Sequence, residues 1–328
     1  MRATRRQFVQ GVGVAGLGLL AGCGRLPGKP APQVPRIGYI TAGPTASPNL
    51  DAFRDGLREL GYVEGENILV EAREVVVEQL SDAAAELMRL AVDVIVANAG
   101  PAALAASRAT TTIPIVMATG GDPVRLGLAD SVARPGRNVT GLSTLSPQLS
   151  AKRLELLREA VPTISRVAIM SDSTNPSGAD QLQETELAAH GLGLHTVALD
   201  RRGAQGLDGA FATAASEGAE AICVLAIGLS IPEYVRMAEF TTQHRQPSVF
   251  ALREGVTHGG LMAYGPSLTA QARRAAAYVD KILKGARPGD LPIEQAMSFD
   301  FVINLKTAQA LGLTIPQHVL LQATEVLQ

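Results

Sequence analysis

Residues 92–124 read VDVIVANAGPAALAASRATTTIPIVMATGGDPV, and the fold class is decided there. Two short apolar runs, 92–97 and 113–118, are rich in β-branched side chains and too short for helices. Each predicts a strand buried on both faces. The first ends in Asn98-Ala99-Gly100-Pro101, the second in Thr119-Gly120-Gly121-Asp122-Pro123. Between them, residues 101–109 are alanine-rich and open on proline, a good first helical residue. A strand–helix–strand crossover makes the two strands parallel and adjacent. Both small-residue loops then fall at one carboxyl edge, where open α/β sheets take their ligands. No charge interrupts these loops before Asp122, so the pair reads as one wall of a small-molecule cleft.

The alternation extends both ways along the chain. Upstream, residues 36–41 and 67–73 predict strands. Residues 50–60 and 78–90 predict helices with one apolar stripe each, Phe53-Leu57-Leu60 and Leu80-Ala84-Leu87. Residues 138–142 add a fifth strand. After a crossing segment and helix at 146–160 the pattern restarts, with strands at 166–170, 194–200, 221–227 and 248–252. Helices at 178–190, 206–217 and 231–244 lie between them. A strand at 261–264, a helix at 268–284 and a late strand at 297–303 follow. The expectation is an α/β protein of two doubly wound, Rossmann-like lobes joined by a multi-strand hinge. Residues 36–145 plus 266–287 form the first lobe, and 146–265 plus 288–328 the second.

The N-terminus carries a different signal. Arg2, Arg5 and Arg6 precede an uncharged run of eleven residues, 11–21, too short to cross about 30 Å of hydrocarbon as a helix. It ends Leu20-Ala21-Gly22-Cys23, the pattern of a bacterial lipobox whose cysteine is acylated. Thr4-Arg5-Arg6-Gln7-Phe8-Val9 resembles a twin-arginine export signal. The expectation is a signal peptide over 1–22, a lipid-anchored linker over 23–35 with four prolines in its last eleven residues, and an address in the periplasm or at the cell surface. Without those three arginines, 26 basic residues face 31 acidic ones, which excludes a nucleic-acid partner. Gly11-Val12-Gly13-Val14-Ala15-Gly16 fits the dinucleotide fingerprint by letter, but no strand precedes it. No hydrolase elbow, P-loop or metal spacing is present, and the chain reads as a non-enzyme without a cofactor.

The blocks FRDGLRELGYVEG (53–65), ARPGRNVTGLS (133–143), KRLELL (152–157), YVDKILKGA (278–286) and VINLKTAQALGLTIP (302–316) carry a further likeness. With GGLM (259–262) and YGP (264–266), they resemble the ABC-transporter substrate-binding family that includes tryptophan- and tyrosine-type uptake lipoproteins, of the type I periplasmic-binding-protein fold. The resemblance implies capture of a small solute outside the cytoplasm and delivery to a permease driven by a partner ATPase. A sensory lipoprotein reporting to a membrane receptor is the alternative. The chain departs from the family where the ligand belongs. Asn98-Ala99-Gly100-Pro101 stands in place of a Gly-Thr-Pro loop, and Ala226-Ile227-Gly228-Leu229 in place of a polar and aromatic one.

In this fold the strand-end loops of both lobes face the ligand. The candidates from lobe one are Thr41, Asn98, Gly100, Thr119, Gly120 and Asp122. Asn98 and Thr119 offer neutral donors and acceptors. Gly120 and Gly121 let backbone N–H groups approach a carboxylate. Asp122 either pairs with a ligand ammonium or shapes the turn before Pro123. From lobe two come Asn175, Arg253 and Glu254. Arg253 would clamp a carboxylate and Glu254 accept from an amine, or the two pair on the surface. Tyr39, Phe250 and Tyr264 are cleft walls or core. The composition points to an amino-acid-like solute or a small acid.

Overall fold

Side chains alternate between the faces of a strand, so a strand apolar on both faces needs a layer on each. A computed structural model of the chain describes residues 34–42, 48–144, 147–175, 177–203 and 206–328, and its first sheet meets that demand. The signal peptide, Cys23 and the linker up to residue 33 lie outside the described residues. The first half runs β1 (Arg36–Ala42), α1 (Pro48–Glu59), β2 (Leu69–Val75), α2 (Leu80–Arg89), β3 (Val94–Asn98), α3 (Gly100–Ala109), β4 (Ile115–Thr119) and β5 (Val139–Ser143). Its strands pair in parallel. Ile37, Tyr39, Val94, Val96 and Val116 point to one face and pack under α1. Ile40, Ile95, Ala97, Ile115 and Met117 point to the other, under α2 and α3.

The pattern then restarts. The chain continues through α4 (Pro147–Ala160), β6 (Arg166–Ser171), α5 (Gly178–Gly191), β7 (His195–Asp200), α6 (Gly206–Ser216), β8 (Ala221–Val224), α7 (Ile231–Gln243), β9 (Ser248–Phe250) and α8 (Glu254–Thr257). It ends with β10 (Met262–Pro266), α9 (Leu268–Leu283), β11 (Glu294–Gln295), β12 (Phe299–Asn304), α10 (Leu305–Ala310), α11 (Gln317–Leu320) and β13 (Glu325–Leu327). The sheet orders are β11-β5-β4-β3-β1-β2 and β13-β12-β10-β9-β8-β6-β7. Only the β10–β12 pairing is antiparallel among the described strands.

Three connections join the sheets: β5 to α4, β10 to α9 and β11 to β12. They are stitched to one another. The Ser143 carbonyl accepts from Ala296 N at 3.1 Å and from Gln271 Nε2 at 3.5 Å, and Ser298 O accepts from Ser267 N at 2.9 Å. Helix α9 returns to the first sheet and lies beside α1. Gly56 makes the contact possible: a Cβ there would stand 2.4 Å from the Arg273 carbonyl oxygen.

Three sequence expectations differ from the structure. Residues 288–295, placed in the second lobe, stay with the first sheet, because β11 pairs with β5. The strand expected over 221–227 stops at Val224. Leu225, Ile227 and Leu229 remain buried but curl through tight turns, with Ile227 N bonded to Leu225 O and Leu229 N to Ile227 O, both at 2.8 Å. An apolar run alone does not separate a strand from a buried loop. The short strands β11 and β13 have no periodicity long enough to register in sequence.

Candidate ligand-binding site

In each sheet the strand order reverses once, between β1 and β3 and between β6 and β8. At such a switch point the flanking helices part and leave a crevice at the carboxyl edge. In the first sheet Thr41 and Asn98 are register partners across this point. Asn98 Nδ2 donates to Thr41 Oγ1 at 3.2 Å, and Thr119 Oγ1 donates to Asn98 Oδ1 at 2.8 Å while accepting from Ala99 N at 3.0 Å. All three side chains are buried. They form a strip held in one orientation, and among the described residues the second N–H of Asn98 is left to give. Ser143 and Thr144 extend the strip: Ser143 Oγ donates to Gly121 O, and Thr144 donates through N and Oγ1 to Gly120 O. Gly100 and Gly120 face each other at the loop crossing, where a Cβ on Gly120 would lie 3.7 Å from Gly100 N. Asp122 acts as the turn former: its Oδ1 accepts from Val124 N at 2.8 Å and Arg125 N at 3.2 Å.

Asn175 bridges the second switch point. Its Nδ2 donates to Ala226 O beyond β8 at 3.1 Å, and its Oδ1 accepts from Ser177 N ahead of α5. The two edges meet nearby, where Arg125 Nη2 lies 2.6 Å from Asp180 Oδ1 on the first turn of α5. The sequence reading therefore finds residues at both switch points. Arg253 and Glu254 are different. Arg253 pairs with Glu325 at the start of β13, at 2.8 Å, rather than with Glu254. Among the described residues, no hydrogen bond or ion pair ties either one to the first sheet's edge. Glu254 Oε2 is buried without a hydrogen-bond partner. Burial pushes its carboxyl up, with Asp300 adding to the rise and Arg253 opposing it. Tyr39 and Phe250 are core, Tyr39 against the Phe53 ring; Tyr264 is half-buried against Phe299 and Phe301.

One group at the second edge escapes the sequence reading. Arg201, just after β7, places Nε 2.6 Å from Asp172 Oδ2 and Nη1 2.7 Å from Glu233 Oε1. Asp172 follows β6, and Glu233 belongs to the capping box that Ser230 forms at the start of α7. One guanidinium thus ties three loops at the carboxyl edge. Burial raises the Asp172 carboxyl, but hydrogen bonds from Thr174 and Arg201 outweigh it and hold the group below its ordinary range. The balance at Glu233 is the same, with Ser230 and Arg201 as donors. The Ser230-x-x-Glu233 capping box is a local pattern, but Arg201, which joins it, lies 32 residues upstream of Glu233.

The profile described as "ABC transporter substrate binding protein" matches residues 37–327. The chain belongs to the ABC transporter substrate binding protein family. It is a solute-binding protein rather than an enzyme, with the type I periplasmic-binding-protein fold. Members of this family work outside the cytoplasm with a small-molecule solute and the membrane components of a transporter. Among the described residues no helix is long and apolar enough to cross a membrane. The chain is similar to a "Tyrosine-binding protein" of Clostridioides difficile (strain R20291), at 23% identity over 315 residues, covering 92% of this chain and 90% of that protein. It is also similar to the crystal structure of an ABC domain in complex with L-Trp from Streptococcus pneumonia: 26% identity, TM-score 0.82, 89% of this chain and 99% of that one. A conserved domain protein of Vibrio cholerae matches with 29% identity and TM-score 0.81, over 89% of this chain and 99% of that one.

Two outcomes follow from the second edge. Arg201→Ala strands a buried carboxylate, and unfolding stability should fall by about 3–5 kcal/mol in a denaturant titration at pH 7. Asp172 and Glu233 are held below their unfolded values, so the stabilisation is complete above about pH 5 and lost as pH falls through the lowered ones. The variant and wild-type curves should therefore converge in acid. Glu254→Gln should act in the opposite sense. The raised carboxyl costs stability while ionised, so the variant should melt higher at pH 7, and the gain should vanish below about pH 4. A variant that melts lower at pH 7 would show that Glu254 is held by a partner.

Proposed function

We propose that the protein is a lipid-anchored receptor of an ABC importer that closes its two lobes on a single amino acid. The observation that carries this reading is the similarity, over 89% of the chain, to a structure solved with L-Trp. The site supports it. The first lobe's edge offers the neutral strip Thr41–Asn98–Thr119 and the start of the ten-residue helix α3, whose free backbone N–H groups favour an anionic group. Such an edge suits a carboxylate without needing a cation, which agrees with Arg253 being taken up by Glu325. Asn175 supplies the polar contact from the second lobe. The loop after β8 puts Ile227 and Leu229 into the core and offers no aromatic side chain, so stacking on that loop has no part in the reading.

The mechanism is differential affinity. A ligand that touches both switch points does so fully only in the closed form, so binding shifts the hinge equilibrium toward closure. The permease reads the closed face, and the partner ATPase supplies the energy. The three stitched crossings make a natural hinge. Acylation at Cys23 would keep the receptor at the membrane through the proline-rich segment that follows.

Protein stripped of ligand by unfolding and refolding should gain thermal stability from one or a few L-amino acids, by about 2.7 kcal/mol at a hundredfold excess over Kd. A response to none of the twenty, with a sugar recovered by mass spectrometry from native protein, would overturn the reading. For the anchor, Cys23→Ser should move the protein from the membrane to the soluble fraction of the producing cell. It should also remove the acyl mass from the N-terminal peptide, whereas an unchanged distribution would exclude the lipobox.

A further inference from the structure

The loop after β4 carries Arg125 in the first lobe, and its guanidinium lies 2.6 Å from Asp180 of α5 in the second. Asp180 and Glu184 are spaced i, i+4 on α5, so two like charges share one helix face. Burial and the neighbouring Asp180 push the Glu184 carboxyl up, the Arg125 charge opposes that rise, and Asp122 of the Arg125 loop adds to it. When the lobes part, Asp180 and Glu184 are left without this counter-ion. The contact is therefore worth more to the closed form than to the open one.

We propose that the Arg125–Asp180 pair is a closure latch, an interlobe ion pair that sets how often the protein closes and so its affinity for solute. The proposal rests on the two-lobed receptor reading above. The Arg125 side chain is 60% exposed and that of Asp180 23%, so the pair is partly hydrated. A pair of this exposure changes an equilibrium about two- to fivefold. That range suits a trigger that must also release: a much stronger latch would close the protein with no solute inside.

The test reads closure directly and needs no ligand. In the full chain carrying Cys23→Ser, spin labels on Arg108→Cys of α3 and Ala212→Cys of α6 report the distance between the lobes. Both positions are exposed, and the native Cys223 is fully buried. Arg125→Ala should lower the ratio of the short-distance to the long-distance population about two- to fivefold, as should 1 M salt in the unaltered pair. Arg125→Glu should lower it further, and the exchanged pair Arg125→Glu with Asp180→Arg should return it toward the starting ratio. The proposal is overturned if the single variants keep the parent distribution, if the exchange restores nothing, or if the parent shows no short-distance population. Because these distances are taken without solute, a failed amino-acid screen would count against the proposed ligand and leave the latch result standing. For any amino acid found to bind, Arg125→Ala should weaken affinity by the same factor as it lowers closure, and an unaltered affinity would also overturn the proposal.

Discussion

Parallel pairing is the constraint on which the rest of this molecule depends. Parallel strands cannot be joined by tight hairpins; each needs a crossover, and every crossover brings the chain back in the same direction. The loops that leave the parallel strands therefore gather at one edge of each sheet; β12 and β13, which run the other way in the second sheet, are the exception. When the strand order also reverses, the helices on the two faces diverge at the reversal and open a crevice. Both halves of this chain obey the rule. Thr41–Asn98 and Asn175–Ala226 are hydrogen bonds made across the two reversals. The candidate site is a product of connectivity first and of side-chain chemistry second.

Much of this was legible in the chain because β-branched runs, alanine-rich helices and small-residue loops repeat in a fixed order. Residues 92–124 alone mark three adjacent elements and one carboxyl edge, and Asn98, Thr119 and Gly120 follow from their position at the end of a strand. The buried strip that these residues form was not legible, since it depends on Thr41, 57 residues upstream of Asn98. Arg201 was missed for the same reason. Its partners are 29 and 32 residues away, and nothing local marks an arginine after a strand as buried. Arg253 shows the converse: a basic residue beyond a strand end reads as a ligand clamp, while the partner it has in the structure, Glu325 of the C-terminal strand, leaves no local mark in the sequence.

The two lobes solve the same packing problem with different electrostatics. The first edge is organised by neutral groups satisfied among themselves, which costs little in desolvation and leaves a surface responsive to a guest's own charges. The second is organised by a buried guanidinium between two carboxylates, with Arg202 Nε 3.6 Å from Asp172 as a further cation. Buried pairs of this kind are geometrically demanding and tolerate little displacement. Both edges are thus held by their own hydrogen bonds, the first without charge and the second through it.

The stitching of the three interlobe crossings has a mechanical consequence. A single linker would let one half swivel freely about the other. Three side-by-side connections, bonded through Ser143, Ser267 and Ser298, resist torsion and shear while yielding to flexure. They leave the halves one soft degree of freedom, a jaw-like swing about an axis across the crossings. Any face that a membrane partner recognises is then presented in a single alignment at each stage of the swing, without a search over orientations.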